Sequence, residues 1–273
     1  MSVTAPPDLL ATIVAATRHV VAVRSREVPP HALDWHWHRP AGGAFERAVR
    51  EAAAPRIIAE CKRRSPSRGI LRQDYDAAAH ARAYEAAGAA AISVLTEPTF
   101  FDGAPDHLRA VRDAVAIPVL RKDFIVTDYQ LFEAVALGAD AVLLIVGALD
   151  DANLRHLLDR AHELGLASLV EVHDVEEFRR ALDAGARIVG VNSRNLKTLA
   201  VDPAVLDSVA PLVPPNITSV AESGITSRED VDRLAIAGYD AFLVGERLIA
   251  QPDPGRALRE LRQSAEPGHS LGR

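Results

Sequence analysis

Ile57-Ile-Ala-Glu-Cys-Lys-Arg-Arg-Ser-Pro-Ser-Arg-Gly69 opens as an apolar run and breaks into a Ser/Pro/Gly loop, with a carboxylate and an ammonium where the two meet. Side chains two apart on a strand share a face. Ile58, Glu60 and Lys62 therefore point one way, and Ile57, Ala59 and Cys61 the other. Opposite charges at the end of a buried strand cost desolvation that they seldom recover as stability. One such pair would be an ordinary strand-end ion pair. The pattern recurs, and recurrence argues for a shared purpose.

Ile117-Pro-Val-Leu-Arg-Lys-Asp123 delivers Lys122, and Ala167-Ser-Leu-Val-Glu171 delivers Glu171. Ile188-Val-Gly-Val-Asn192 leads into Ser193-Arg194, Ser219-Val-Ala-Glu222 into Ser223-Gly224, and Ala241-Phe-Leu-Val-Gly245 into Glu246. Ala91-Ile-Ser-Val-Leu95 and Ala141-Val-Leu-Leu-Ile-Val146 are nearly apolar throughout and complete a set of eight. Near-continuous apolar runs of this length read as strands covered on both faces, hence as a parallel sheet.

Helical segments lie between the runs, and five close on glycine: Gly88, Gly138, Gly165, Gly185 and Gly238. Glycine just past a helix takes the left-handed conformation that ends it. Starts are marked by Thr127-Asp128, Asp150-Asp151 and the capping-box pattern Ser227-Arg-Glu-Asp230. The chain is a repeating β–turn–α–Gly unit, with strands starting about every 20–35 residues. Eight units predict a closed α/β barrel, the (β/α)8 TIM barrel, with its site at the carboxyl ends of the strands. An open doubly wound sheet usually carries a Gly-rich turn after its first strand, and the sequence has no G-x-G-x-x-G.

Composition narrows the class. At 273 residues with a formal net charge of −6, the chain is one domain without the positive surface of a nucleic-acid binder. No apolar run approaches the ~18 residues of a membrane span, and the N-terminus lacks the order of a signal peptide. A lone cysteine fits a reducing cytoplasm and supplies no zinc cluster. No metal, cofactor, nucleic acid or membrane partner is expected. Residues 1–54 read as an N-terminal helical extension packing on the barrel, with apolar spacing over Leu9–Val23 and a second helix over Phe45–Ala54. Residues 55–265 form the barrel and 266–273 a frayed tail. Trp35-His-Trp-His38 lies in the extension, which is expected to help cover one end of the barrel.

The polar strand-end residues Glu60, Lys62, Lys122, Glu171, Asn192, Arg194, Glu222 and Ser223 converge on one mouth. Mixed lysine and glutamate clusters separate pKa values, as proton transfer requires. Cys61 faces the helices and reads as a small buried hydrophobe. Gly224 and Gly245-Glu246, after the last two strands and before a short helical stretch, fit the phosphate site that barrels build there from backbone amides. The residues alone reach a phosphorylated small molecule undergoing cofactor-free acid–base chemistry.

The segments IIAECKRRSPSRG, SVLTEPTFFDG, VLRKDFIV, LVEVHD, VGVNSRNL, AESGI and FLVGE, in this order, resemble the indole-3-glycerol-phosphate synthase family over essentially the whole chain. The resemblance implies a carboxy-lyase of tryptophan biosynthesis that closes 1-(2-carboxyphenylamino)-1-deoxyribulose 5-phosphate with loss of CO2 and water. It also implies roles. Lys122 would be the general acid at the ribulose carbonyl. Lys62 would hold the anthranilate carboxylate and act as an acid in dehydration, with Glu60 as its partner and a base. Glu171 would orient Lys122 or exchange protons with it. Asn192, Glu222 and Ser223 would bind the sugar hydroxyls, and Arg194 would support the carboxylate side. Ser65, Gly224 and Gly245 would hold the phosphate, and Phe124 with Phe100-Phe101 would wall the ring. Position 246 is Glu where some relatives carry Ser, so only its backbone would serve the phosphate and its carboxylate should turn away or pair with an arginine. The chain is expected to act as a monomer, a weak dimer being the alternative. Phosphoribosylanthranilate isomerase, the rival phosphate-binding barrel, wants a Cys/Asp pair at strand ends, which is missing here.

Overall fold

The computed structural model describes residues 8–263. Eight parallel strands close into a barrel: β1 (Arg56–Cys61), β2 (Ala91–Leu95), β3 (Val119–Lys122), β4 (Ala141–Ile145), β5 (Ala167–Val172), β6 (Ile188–Asn192), β7 (Thr218–Glu222) and β8 (Ala241–Val244). β8 pairs with β1 to complete the ring. The predicted strands are all present, and the glycine exits behave as expected; Gly138 and Gly238, for example, sit at φ 89 and 108. Ser227 and Asp230 form the reciprocal capping box.

Alternation sorts the side chains into two cores. Ile57, Ala59 and Cys61 face outward and pack with Ala77, Ala81 and Tyr84 of the helix Ala77–Ala86. Burial pushes the Cys61 thiol well above its ordinary range, so it is an inert filler, as its parity predicted. Ile58, Leu120, Leu143, Leu169 and Leu243 fill the barrel interior.

The extension has two parts. Helix α1 (Leu9–Glu27) lies beside the β3–β4 side of the barrel, where Arg24 meets Glu133 at 3.0 Å. Helix α2 (Gly42–Arg50) places Phe45 and Val49, both fully buried, beneath the amino ends of the strands. It starts three residues earlier than the sequence suggested and stops four earlier. At its start Gly42 N–H donates to the Gly165 carbonyl at 3.1 Å, and a side chain at 42 would meet the Ala167 backbone at 2.6 Å. At its end the Glu51 N–H closes the last turn on the Arg47 carbonyl at 2.7 Å, and Pro55 further along disfavours helical geometry in Ala54.

Trp35-His-Trp-His38 does not cover the mouth. Trp37 Nε1 donates to the Ala136 carbonyl at 2.7 Å, Arg109 stacks on its ring at 3.9 Å, and His38 lies 3.3 Å from Asp140. The segment runs down the outside of the helix Asp128–Leu137 toward the barrel floor. The expected tail, residues 266–273, lies outside the described residues.

Candidate active site

A cavity of about 670 Å³ opens at the carboxyl ends of the strands. Of the site residues expected from the sequence, all but Phe100 line it: Glu60, Lys62, Ser65, Phe101, Lys122, Phe124, Glu171, Asn192, Arg194, Glu222, Ser223, Gly224, Gly245 and Glu246. Register explains the convergence. Glu171 sits opposite Gly190, Asn192 opposite Glu222, and Lys122 opposite Leu95. Inward parity on neighbouring strands thus stacks the charged groups at one height above the Leu and Ile layers.

Two lysine-centred groups result. Lys122 Nζ donates to Glu171 Oε2 at 3.1 Å and lies 3.3 Å from Glu222 Oε2. Lys62 Nζ meets Glu60 Oε1 at 2.6 Å. Burial works against the charge of Lys122, but Glu171, Glu222 and Glu60 outweigh it and hold the ammonium above its ordinary lysine range. Burial raises Glu171; Lys122 and His173 overcome this and keep it well below the usual carboxylate range. Glu60 is likewise held down by Lys62 and Lys122 against its burial. Glu222 goes the other way. Burial and the nearby Glu171 charge push it up to about 8 despite Lys122. Neither Glu222 oxygen accepts a hydrogen bond from a described residue. Adjacent carboxyls with opposite shifts are what acid–base chemistry at neutral pH uses.

The mouth carries a second electrostatic cluster. The Glu246 carboxylate lies 3.3 Å from Arg194 Nη2, 3.8 Å from Arg68 Nη1 and 4.0 Å from Lys62 Nζ. Of the two expected outcomes it pairs with arginine. It also faces the cavity, because three cations there outbid solvent. Arg194 is further held by Asn192, whose Oδ1 accepts its backbone N–H at 2.9 Å. Ser223 takes φ 64 and Gly224 φ 71. A non-glycine residue in the left-handed region is a strained position of the kind that collects at functional sites.

Apolar walls complete the cavity. Phe101 and Phe124 line it with ring centroids 6.2 Å apart, joined by Leu95, Leu143, Ile145 and Leu196. Phe100 is not part of this lining. The expected Phe100-Phe101 loop is a short helix, Pro98–Phe101, capped by the Glu97 carboxylate, and its pitch sends the two rings different ways. The segment after β1 likewise folds into a two-residue ribbon, Arg64–Ser65 against Gly69–Ile70.

Two residues escaped the sequence reading. Gly190 faces inward, and a Cβ there would overlap Glu222 Oε1; a glycine inside a central strand was the available signal. His173 shares parity with Glu171 and approaches it at 3.2 Å. The LVEVHD segment held that information through its period of two.

The family model described as Indole-3-glycerol phosphate synthase matches residues 10–261. A protein named indole-3-glycerol phosphate synthase from Kineococcus radiotolerans is 49% identical over 258 residues, covering 93% of this chain and 94% of its own. One of the same name from a Nocardioides species is 57% identical over 210 residues, 77% of this chain and 81% of its own. Among solved structures, thiamine phosphate pyrophosphorylase from Pyrococcus furiosus superimposes with a TM-score of 0.59 at 20% identity, covering 76% of this chain and 93% of its own. That likeness speaks to the barrel alone.

Proposed function

The chain belongs to the indole-3-glycerol phosphate synthase family, and on that premise we propose how its residues divide the reaction among them. The reaction is ring closure of 1-(2-carboxyphenylamino)-1-deoxyribulose 5-phosphate with loss of CO2 and water, a carboxy-lyase step of tryptophan biosynthesis. The observation that carries the division is Lys122, held between Glu171 at 3.1 Å and Glu222 at 3.3 Å inside the mouth.

Lys122 donates a proton to the ribulose carbonyl oxygen as the aromatic carbon bearing the carboxylate attacks the carbonyl carbon. A carbon–carbon bond forms, the carbonyl becomes a hydroxyl, and aromaticity returns when CO2 leaves. Lys62 holds the carboxylate during attack. It then supplies the proton with which the new hydroxyl departs as water, while Glu60, 2.6 Å away, accepts the proton released in forming the indole double bond. Glu171 orients Lys122 through its Oε2 contact. Glu222, a neutral acid at pH 7 by its upward shift, both donates to and accepts from a sugar hydroxyl, with Asn192 and Ser223 beside it.

The phosphate lies between Gly224 and Gly245, held by backbone amides and the Ser65 hydroxyl. Two glycines at adjacent strand ends support this, since a backbone without side chains admits close approach. The aryl ring rests between Phe101, Phe124 and Leu196. Anchoring the dianion and the carboxylate at opposite ends fixes a near-attack geometry. The catalytic unit is a monomer acting in the cytoplasm, a reading supported by a lysine–glutamate cluster that the strand ends of one barrel supply and by a lone free cysteine. Among the described residues no helix is long and apolar enough to cross a membrane.

Incubation of the purified protein with the carboxyphenylamino ribulose phosphate should produce indole fluorescence and one CO2 per ring closed. Released CO2 without fluorescence would contradict ring closure.

Gly190→Ala tests the placement of Glu222. The new methyl claims the space of Glu222 Oε1, the free end of a side chain, so the fold should survive while the carboxyl rotates away. Turnover should fall about tenfold or more, as small misplacements at a reacting centre do. Unchanged turnover would remove Glu222 from the reacting geometry.

A further inference from the structure

His173 is a half-buried ionisable group that the proposed chemistry leaves without a task. It follows β5 with the same parity as Glu171, two residues on, so its ring reaches back along the barrel wall. Its Nε2 lies 3.2 Å from Glu171 Oε1. The other Glu171 oxygen, Oε2, is the one that accepts from Lys122 at 3.1 Å. Each oxygen of this carboxylate therefore faces a different cationic group, and Glu171 itself is 1% exposed. The imidazole is in turn anchored from its far side. Glu177 Oε2 accepts from the His173 backbone N–H at 2.8 Å and meets Nδ1 at 3.0 Å. Glu177 is held by its place in the first turn of the helix Val175–Asp183, where its backbone N–H donates to the Asp174 cap at 2.7 Å.

We propose that His173 is a positioning residue for catalysis: clamped by Glu177, it fixes the rotation of the Glu171 carboxylate so that one oxygen stays on Lys122. The inference rests on the role given above to Glu171. A carboxylate with a single cationic partner can pivot and bring either oxygen, or both, toward the lysine, or turn toward Glu222. One with opposed partners cannot. The imidazole does not reach the cavity, so it acts through Glu171 and not on the substrate.

The charged environment is simple. β5 contributes Glu171, and the following helix contributes Glu177 and the capping Asp174. Arg180, on the same helix, is turned away to Asp151 at 2.8 Å and the Leu149 carbonyl at 2.7 Å. The turn after β4 brings Gly147 against Glu177, with Leu10 of α1 beside it. Burial lowers the His173 pKa, but Glu171 and Glu177 raise it to about 10, so the clamp is cationic throughout the neutral range. A neighbouring cation lowers a carboxylate pKa, so removing it raises the Glu171 pKa. Turnover requires ionised Glu171, and the acid limb of the rate profile must then move to higher pH.

The test combines His173→Gln, Glu177→Gln, Glu171→Gln and the double variant His173→Gln/Glu171→Gln, each checked for parent-like melting. In His173→Gln, kcat should fall about tenfold with KM within about twofold, in line with the cost of a small misplacement at the reacting centre. The acid limb of kcat should move upward. Glu177→Gln should shift kcat in the same direction by a smaller factor, and it keeps the test alive if His173→Gln does not fold. Because His173 acts only through Glu171, the double variant should be no slower than Glu171→Gln alone. Parent-like kcat and pH profile in both His173→Gln and Glu177→Gln, with Glu171→Gln inactive, would overturn the inference and leave the role of Glu171 standing. Losses that add in the double variant would also overturn it. Parent-like turnover in Glu171→Gln would sink the role of Glu171 and this inference with it.

Discussion

Lys122→Ala lowers turnover by about 10²–10⁴-fold, the range expected when a general acid is removed, and leaves substrate affinity within about tenfold. The Lys122 side chain is 13% exposed and held toward the cavity by Glu171 and Glu222 at 3.1 and 3.3 Å, which makes it the cationic donor placed for the carbonyl oxygen. Phosphate and carboxylate anchors remain in place, which keeps the effect in kcat. Removing the ammonium leaves two buried carboxyls without their cation. Glu222, already neutral at pH 7 by its upward shift, leaves no unpaired charge of its own, which limits the damage to folding. A melting curve separates that cost from the catalytic one. Steady-state kinetics by indole fluorescence check the result, and a variant keeping more than about a tenth of parent turnover would exclude Lys122 as the acid.

Lys62→Met should reduce affinity and turnover together. The side chain lies at the cavity mouth, 2.6 Å from Glu60, and in the proposed chemistry it holds the carboxylate before supplying a proton. Loss of a hydrogen bond to a charged group costs about 1.5–3 kcal/mol, which is roughly 10- to 150-fold in affinity, and the lost acid adds to the fall in kcat. Met keeps the length of the stem, so packing beside Arg194 and Glu246 is largely retained. A substrate analogue lacking the aromatic carboxylate separates the causes. It should bind parent and variant alike. Equal weakening of analogue and substrate would detach Lys62 from the carboxylate.

The barrel and its ring of charges were legible in the sequence because both follow from short-range rules. Parity placed Glu60 and Lys62 on one face, strand ends located Lys122 and Glu171, and glycine exits counted the units. What depends on packing between distant segments was not legible. Gly42 begins a helix because the Gly165–Ala167 backbone presses against it, a contact spanning more than a hundred residues. Glu246 turns into the mouth because Arg194, Arg68 and Lys62, from two other strand-end loops, surround it. The Trp35–His38 segment reads as a possible cover until Ala136 and Asp140 are seen to hold it on the outer wall. Phe100 and Phe101 looked equivalent as a loop and separate once Glu97 caps a helical turn beneath them. Gly190 and His173 are within reach of parity alone, although neither belongs to the recurring pattern of strand-end lysines and glutamates.

The orientation of the substrate joins these elements into one account, and a crystal structure with indole-3-glycerol phosphate bound tests it most directly. The account predicts the phosphate between Gly224 and Gly245 with the Ser65 hydroxyl, the indole ring against Phe101 and Phe124, and the glycerol hydroxyls near Asn192 and Glu222. Phosphate beside Lys62 and Lys122, with nothing at Gly224 and Gly245, would contradict it and reverse the substrate in the cavity.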